Sequence, residues 1–328
     1  MPLNQFGQVN PDVIDYRAFR NYDPPQIVRL WNEAELGTGA ARGLPNDLSF
    51  DMMNYSQPYF DRDGLIMACR DGQPVGFVHA GFGCSPDGNE LDRSQGVICA
   101  VLVHPDHRRQ GIGRELVQRA CNYLREQGAT TIDAGPAPSR DPFYFGLYGG
   151  PRPAGFLESD PAAAPFFEAI NFRPAEQYLL TSRQMSDRDP VNFRLTTIKR
   201  KWELALVDSP DPCPWWWSCR YGRLDALFCV LVPRGGGQPV AGVTVVGLDT
   251  YTAGWHEQAI GVADLWVDKS RRREGFGQTL LVEVIKRLRQ ETITRITANV
   301  RADDEASVAL FRSTGFQDVD RGTVYRAV

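Results

Sequence analysis

Residues 101–113 read VLVHPDHRRQGIG, and 164 positions later residues 265–277 read LWVDKSRRREGFG. Both stretches pass from a run of apolar residues, through a short polar link, into the pattern Arg-x-x-Gly-x-Gly. Apolar residues then follow at helical spacing, as at Leu116 and Ala120 or at Leu280 and Val284. Each stretch therefore predicts a strand, a glycine turn and an amphipathic helix that packs on a sheet, and the chain contains this unit twice.

The repeat extends beyond the glycine turns and predicts two domains. Residues 73–77 correspond to residues 238–242, and each of these segments follows a turn and an apolar strand. The segment 166–172 matches 310–316 at an offset of only 144, so the first copy carries about 20 additional residues. We place this insertion at about 134–160.

A polar, proline-containing segment at 183–192 separates the copies and predicts a boundary near residue 188. The predicted domains are 1–187 and 188–328. The first contains a helix candidate at 24–36. The second has no equally clear helix at this place, only the segment 212–217 with Trp215, Trp216 and Trp217, which we expect to pack at the domain interface rather than hold a ligand.

Composition excludes several classes of protein. The 328 residues are 42% hydrophobic and 23% charged, which is ordinary globular usage, and the net charge of −4 argues against a nucleic-acid partner. The longest apolar run, 226–232, is far shorter than the roughly 20 residues that span a bilayer, so we expect a soluble, cytoplasmic protein without a membrane partner. Seven cysteines without a CxxC pair and four histidines without ligand spacing predict neither a disulfide framework nor a metal site.

The glycine turns have the properties of a phosphate-binding site. A strand that enters a glycine turn before a helix presents free backbone N–H groups at the positive end of the helix dipole. Neighbouring arginines add charged donors. A Walker A loop requires Gly-x-x-x-x-Gly-Lys-Ser/Thr, which neither copy has, and a dinucleotide fingerprint requires a third glycine where Leu116 and Leu280 stand.

This pattern resembles the GNAT superfamily of N-acetyltransferases, whose signature is Gln/Arg-x-x-Gly-x-Gly/Ala between the fourth strand and the third helix. The resemblance covers roughly residues 10–183 and 190–328. It implies two tandem GNAT-like domains of the α/β class, with a mixed sheet. The residues that match the family's motifs are Arg108, Gly111 and Gly113 in the first copy and Arg272, Gly275, Gly277, Asn299, Ala306, Leu310, Phe311, Gly315 and Phe316 in the second.

The resemblance implies acetyl-CoA as cosubstrate. In the family, the loop N–H groups hold the pyrophosphate and the end of the fourth strand, here 97–103 or 262–267, pairs with the pantetheine. The residues implied to contact it are Val101, Leu102, Val103, Arg108, Arg109, Gln110, Gly111, Ile112, Gly113 and Arg114 in the first copy, and Leu265, Trp266, Val267, Arg272, Arg273, Glu274, Gly275, Phe276, Gly277, Gln278 and Asn299 in the second.

Two departures from the family pattern leave the proton chemistry open. Phe167 and Phe311 stand where the family usually has a tyrosine that acts as the acid, and the first copy has Ala134 and Gly135 near the place of the asparagine. Two hypotheses follow: an enzyme that acetylates a primary amine of a small molecule, peptide or protein, or a non-catalytic module that binds acyl-CoA. The acceptor and the oligomeric state stay open.

The candidate catalytic residues follow from comparing the copies. Only the second copy places a carboxylate on its fourth strand, Asp264, so we expect the second half to be catalytic with Asp264 as base. The alternative for Asp264 is a salt bridge to the first half. Tyr144 and Tyr148 either serve as a displaced acid or close a small core. We expect Cys99 to be a packing residue and transfer to be direct, without an acyl-enzyme.

Overall fold

The computed structural model describes residues 13–190, 193–222, 224 and 226–328. The elements of the first half are β1 (Ile14–Ala18), α1 (Pro24–Glu33), α2 (Leu48–Phe50), β2 (Leu65–Arg70), β3 (Gln73–Cys84), β4 (Leu91–Val103), α3 (Ile112–Glu126), β5 (Thr131–Ala134), β6 (Phe156–Leu157), α4 (Ala163–Ala169) and β7 (Phe172–Gln184).

Among the described residues, the second half repeats the order of the strands without a separate counterpart of β6, and it differs in its short helices. Its elements are α5 (Phe193–Lys201), β8 (Trp202–Val207), α6 (Trp215–Tyr221), β9 (Ala226–Pro233), β10 (Ala241–Gly247), α7 (Thr252–Trp255), β11 (Ala259–Val267), α8 (Phe276–Leu288), β12 (Arg295–Arg301), α9 (Glu305–Ser313) and β13 (Gln317–Ala327). None of the described helices combines the length and apolar character that a bilayer crossing requires.

The described strands form one sheet that both halves share. It is mixed, as predicted. Its order is β1-β2-β3-β4-β5-β13-β7-β12-β11-β10-β9-β8, and β6 pairs with β13 off this path. The described pairs β4/β5 and β11/β12 are parallel, and every other described pair is antiparallel. Each parallel pair brackets one of the two predicted strand–glycine turn–helix units.

The last strands of the halves are exchanged. β13 lies between β5 and β7, and β7 lies between β12 and β13. The ladder of β7 with β13 runs from Phe172 paired with Ala327 to Ser182 paired with Gln317. Each half therefore completes the other's sheet. The boundary at residue 188 falls in the connection between β7 and α5 and stays a prediction.

The predicted insertion is an excursion from a single strand. Ala134 of β5 faces Tyr325 on β13, and Phe156 of β6 faces Thr323 two positions along the same strand. β6 thus continues the line of β5, and residues 135–155 leave the sheet between them. The corresponding strand of the second half, β12, is continuous.

The tryptophan-rich segment is helical, which the sequence analysis missed. Trp215, Trp216 and Trp217 open α6, which begins directly after Pro214 and occupies the place that α1 has in the first half. Trp216 stacks on Tyr59 of the first half at a centroid distance of 5.0 Å. The interface prediction is confirmed for Trp216. A search for helical periodicity misses α6, because the helix has only two turns and follows Pro212 and Pro214 directly.

His79 lies in the aromatic core of the first half. Its side chain is fully buried, stacks on Phe143 at 4.0 Å, and places Nδ1 3.1 Å from the hydroxyl of Tyr144. Burial lowers the pKa of His79 to about 3. In the unfolded chain, this histidine takes up a proton as the pH falls below its ordinary pKa of about 6.5. In the folded chain it stays neutral until the pH approaches 3. The neutral ring therefore costs stability as pH falls from 6.5 towards 3.

We predict that His79→Gln flattens the acid limb of the stability profile. Between pH 6 and 4, the free energy of unfolding of the wild type should fall more steeply than that of the variant, by at most about 1.4 kcal/mol per pH unit. Urea titrations across this range measure both slopes. Tyr144→Phe is the matched control, because it removes the hydroxyl contact and keeps the imidazole. Equal slopes in the wild type and His79→Gln would contradict the assignment.

Candidate functional site: the cleft at the first glycine loop and its counterpart

The first glycine loop forms an open cradle at the start of α3. Arg109 and Gly111 both have left-handed backbone, with φ of +63° and +84°, so the chain curls tightly before the helix. Arg108 holds the curl to the strand, because its Nε donates to the carbonyl of Val103 at 3.1 Å. A Cβ built on Gly111 would meet no described atom within 4 Å. The first turn of α3 therefore presents its N–H groups to open space.

A cleft of about 520 Å³ runs from this loop between β4 and α4. Of the ten first-copy residues that the sequence assigned to the cofactor, nine line it, and Gln110 instead accepts a hydrogen bond from Arg70 at 2.6 Å. The nine are Val101, Leu102, Val103, Arg108, Arg109, Gly111, Ile112, Gly113 and Arg114. The structure thus brings the strand end and the glycine loop into one cavity.

The far wall of the cleft is aromatic. Phe156, Phe166 and Phe167 line it, and the ring of Phe166 lies 3.1 Å from a Cβ built on Gly113. Phe167 occupies the position of the missing tyrosine and stacks on Tyr325 of the exchanged strand β13 at 5.1 Å. This wall can enclose an apolar chain, but Phe167 offers no proton.

Two carboxylates that the sequence analysis did not single out also line the cleft. Glu35 lies beside Arg108, with Oε2 and Nη1 3.7 Å apart. Burial raises the pKa of Asp160, and the N–H of Ala162 and the charge of Arg108 offset this only in part. Neither acid belongs to a motif, and both lie in segments where the two copies differ, so the repeat gave no signal for them.

The second glycine loop has the same backbone but is covered. Arg273 and Gly275 have φ of +66° and +97°, and the Nε of Arg272 donates to Val267 at 3.3 Å. A Cβ built on Gly275 would lie 2.9 Å from Cδ of Arg194 on α5. The side chain of Arg194 also donates to the carbonyl of Arg273 at 3.4 Å. The helix α5 therefore lies over the loop that would receive a phosphate.

The other second-copy residues have local partners. The side chain of Glu274 pairs with Arg271 at 2.9 Å, and Gln278 donates to the hydroxyl of Ser313 at 3.2 Å. The indole of Trp266 lies against Gly242, and Phe276 packs edge-on against Trp202 at 5.0 Å. A Cβ built on Gly277 would contact Leu310 at 3.1 Å, and Leu265 packs on the second hydrophobic core.

The inserted segment of the first half lies at the mouth of the second half's strand pair. The ladder of β11 with β12 ends at Val262 and Ala298. Beside it, Pro151 packs closely on Gly261. A Cβ built on Gly261 would lie 2.1 Å from the Cβ of Pro151. Asn299 donates through Nδ2 to the carbonyl of Gly149 at 2.6 Å and to that of Arg152. Asn299 therefore holds protein backbone rather than facing the glycine loop.

Asp264 belongs to a cluster of four charges that joins the halves. It pairs with Arg152 and lies 3.7 Å from Arg220. Asp141, which is fully buried, pairs with the same two arginines, at 2.9 Å in the case of Arg220. Burial alone would raise the pKa of Asp264, but the charges of Arg152 and then Arg220 outweigh it and hold the pKa below its ordinary value.

These contacts do not support Asp264 as a general base. A base needs a pKa near the working pH, whereas Asp264 is ion-paired and its pKa is lowered. Its backbone is left-handed, with φ of +53°, at an irregularity in the β10/β11 ladder, so the regular alternation of side chains along the strand is broken at this residue. The salt bridge to the first half, the other sequence-based interpretation, describes what is observed.

Tyr144 and Tyr148 close a core, the second of the two interpretations given for them. Tyr144 stacks on Trp31 at 5.6 Å, and the hydroxyl of Tyr148 accepts the N–H of Leu157 at 2.9 Å. Burial raises the pKa of both phenols well above the ordinary value. Cys99 is also buried, and burial followed by the charge of Asp141 raises the pKa of its thiol well above the usual range. It is a packing residue, as predicted.

The fold and the two glycine loops are those of a tandem GNAT-type protein. The model of the acetyltransferase (GNAT) family matches residues 29–146 and 196–316, so the chain belongs to that family. Membership of the GNAT family, which the resemblance implied, and the tandem form are thereby confirmed.

Curated relatives match over short stretches. A mycothiol acetyltransferase of Cellulomonas flavigena is 38% identical over 81 residues, 24% of this chain and 23% of that protein. An uncharacterized N-acetyltransferase of Methanocaldococcus jannaschii is 33% identical over 73 residues, 22% of this chain and 31% of that protein. The matched stretches thus span less than a third of either relative.

Solved structures match over the whole chain and show the fold. A tandem GNAT protein from the clavulanic acid biosynthesis pathway superposes with a TM-score of 0.68 at 20% identity, covering 96% of this chain and 98% of that one. A glucosamine N-acetyltransferase region in a fungal multi-domain β-N-acetylglucosaminidase gives 0.71 at 17% identity, covering 97% and 38%.

We predict that Asp264→Asn acts on stability. Removing the charge leaves Arg152 with one carboxylate, so the free energy of unfolding should fall by about 1–3 kcal/mol, while the turnover of the folded variant stays close to wild type. Urea unfolding and steady-state acetylation of an amine panel measure the two effects. A variant of unchanged stability that loses turnover would restore Asp264 as the base.

Proposed function

We propose that the protein is an acetyl-CoA-dependent N-acetyltransferase whose first half binds acetyl-CoA in the cleft between β4 and α4. The observation that carries this proposal is the contrast between the two loops. Gly111 opens into the cleft, whereas Gly275 is covered by Arg194. The acceptor is a primary amine of a small molecule or of a peptide.

The residues present fit the cofactor. The uncapped first turn of α3 and the curl at Arg109 and Gly111 would hold the pyrophosphate through backbone N–H groups, with Arg109 adding charge. The end of β4 at Val101 and Val103 and the aromatic wall would enclose the pantetheine. Bound there, acetyl-CoA supplies an acetyl group activated as a thioester.

Asp160 is the carboxylate we assign to the acceptor's proton. A primary amine with a pKa of about 10 is mostly protonated at neutral pH and must lose a proton before it attacks. Asp160 lines the cleft, and its raised pKa brings it nearer to neutral pH than an exposed carboxylate. It replaces Asp264 in this role.

Transfer in this arrangement is direct. Cys99 is buried with a raised pKa, so it is no nucleophile, and the bound amine is itself competent to attack. Phe167 gives no proton to the departing thiolate. A thiol with an ordinary pKa of about 8.5 leaves as the anion at modest cost, so water can protonate it afterwards.

The second half is assigned a supporting role. It supplies β13, which completes the sheet beside β5, and its own strand pair is bridged by residues 149–152. This assignment reverses the expectation that the second half is catalytic. It rests on the ion pairs of Asp264 and on the cover over Gly275.

We predict that Gly111→Glu abolishes acetyl-CoA binding. The new carboxylate would stand in the cradle, where it excludes and repels the pyrophosphate. Gly128→Glu is the matched control: Gly128 follows the other end of α3, has left-handed backbone at φ of +107°, and likewise opens to no described atom within 4 Å. The two variants thus share the added charge and the backbone strain.

Calorimetric titration with acetyl-CoA distinguishes the outcomes. We expect binding in the wild type and in Gly128→Glu, and a loss of at least about a hundredfold, near 2.7 kcal/mol, in Gly111→Glu. Wild-type affinity in Gly111→Glu, with loss in Gly277→Glu, would move the cofactor to the second half.

A further inference from the structure

A second cavity, of about 270 Å³, lies where the two halves meet. The inserted segment and the connection after α1 form one side, and β12, β13 and α7 form the other. On β12, Ile296 and Ala298 belong to the second hydrophobic core, whereas Thr297 and Asn299 line the cavity. Since side chains alternate along a strand, the cavity lies on the sheet face opposite α8 and α9.

The floor of the cavity contains a polar group without a partner. Thr297 is only 6% exposed, and its Oγ1 has no hydrogen-bond partner among the described residues. A Cβ built on Gly150, across the cavity, would lie 3.6 Å from Thr297 Oγ1 and 3.9 Å from Asn299 Oδ1. Asn299 uses Nδ2 on Gly149, so its Oδ1 faces the same space. A buried hydroxyl without a partner is costly unless a ligand or water satisfies it.

The cavity also holds one positive and one negative side chain that form no ion pair with any described residue. Arg42 donates one hydrogen bond, to the carbonyl of Gly37 at 2.8 Å. Asp320 accepts from the hydroxyl of Ser159 and from two backbone N–H groups. Arg295, the other guanidinium of the lining, is neutralised by Glu257 at 2.7 Å.

We propose that this cavity binds a small zwitterion, an amino carboxylic acid. Arg42 would receive the carboxylate, and Asp320 with Asn299 Oδ1 would receive the ammonium group. Thr297 would gain the hydrogen bond that it lacks. A single-sign ligand would use only one of Arg42 and Asp320, whereas a zwitterion matches both. The proposal concerns binding only and does not rest on the acetyltransferase function.

The test is binding of the proteinogenic L-amino acids and β-alanine to the full chain, by calorimetry. Arg42→Gln removes the carboxylate partner at an exposed position, and Thr297→Val removes the hydroxyl while keeping the side-chain shape. Arg62→Gln is the matched control, because Arg62 is exposed, lies outside the cavity lining, and its side chain donates to Asn21 Oδ1 at 2.9 Å.

We expect at least one of these amino acids to bind the wild type and Arg62→Gln equally. Its affinity should fall about tenfold or more in Arg42→Gln and in Thr297→Val. The corresponding amine without the carboxylate, and the N-acetylated acid, should both bind more weakly than the zwitterion. Failure of every amino acid to bind, or affinities that both cavity variants leave unchanged, would overturn the proposal.

Discussion

The backbone ladder between β7 and β13 is the interaction on which the rest of the molecule depends. It runs from Phe172 to Ser182 and inserts each half's last strand between strands of the other half. Backbone groups of β7 pair with β12 and β13 of the second half, and those of β13 pair with β5 and β7 of the first, so neither half closes its sheet alone. The cleft at the first glycine loop depends on this ladder directly, because Phe167 of its aromatic wall stacks on Tyr325 of β13.

The inserted residues 135–155 make the halves unequal. They leave the sheet beside the first half's cleft and reach the second half's strand pair, where Asn299 and Asp264 hold them. Four buried or partly buried charges at that contact are favourable only while all are paired. One excursion from one strand therefore bridges the second half's strand pair and supplies Gly149 and Gly150 to the cavity between the halves.

The repeat in the sequence was sufficient to predict the two strand–loop–helix units, because these depend on local patterns. The mixed sheet and nine residues of the cleft followed from the resemblance to a known family. The repeat could not predict the exchange of β7 and β13, because two equivalent strands have the same hydrophobic pattern whichever half they pair with. The position of a carboxylate in a strand does not show whether it forms an ion pair in the folded protein. For that reason Asp264 was assigned to catalysis. Asp160 was missed because burial, not sequence context, shifts its pKa.

The central claim is that the first glycine loop, and not the second, receives acetyl-CoA. Hydrogen exchange of the full chain with and without acetyl-CoA tests it most directly, because the phosphates would hydrogen-bond the N–H groups at the start of α3. The account predicts slower exchange across residues 108–114 and unchanged exchange across residues 272–278. Protection confined to residues 272–278 would contradict it.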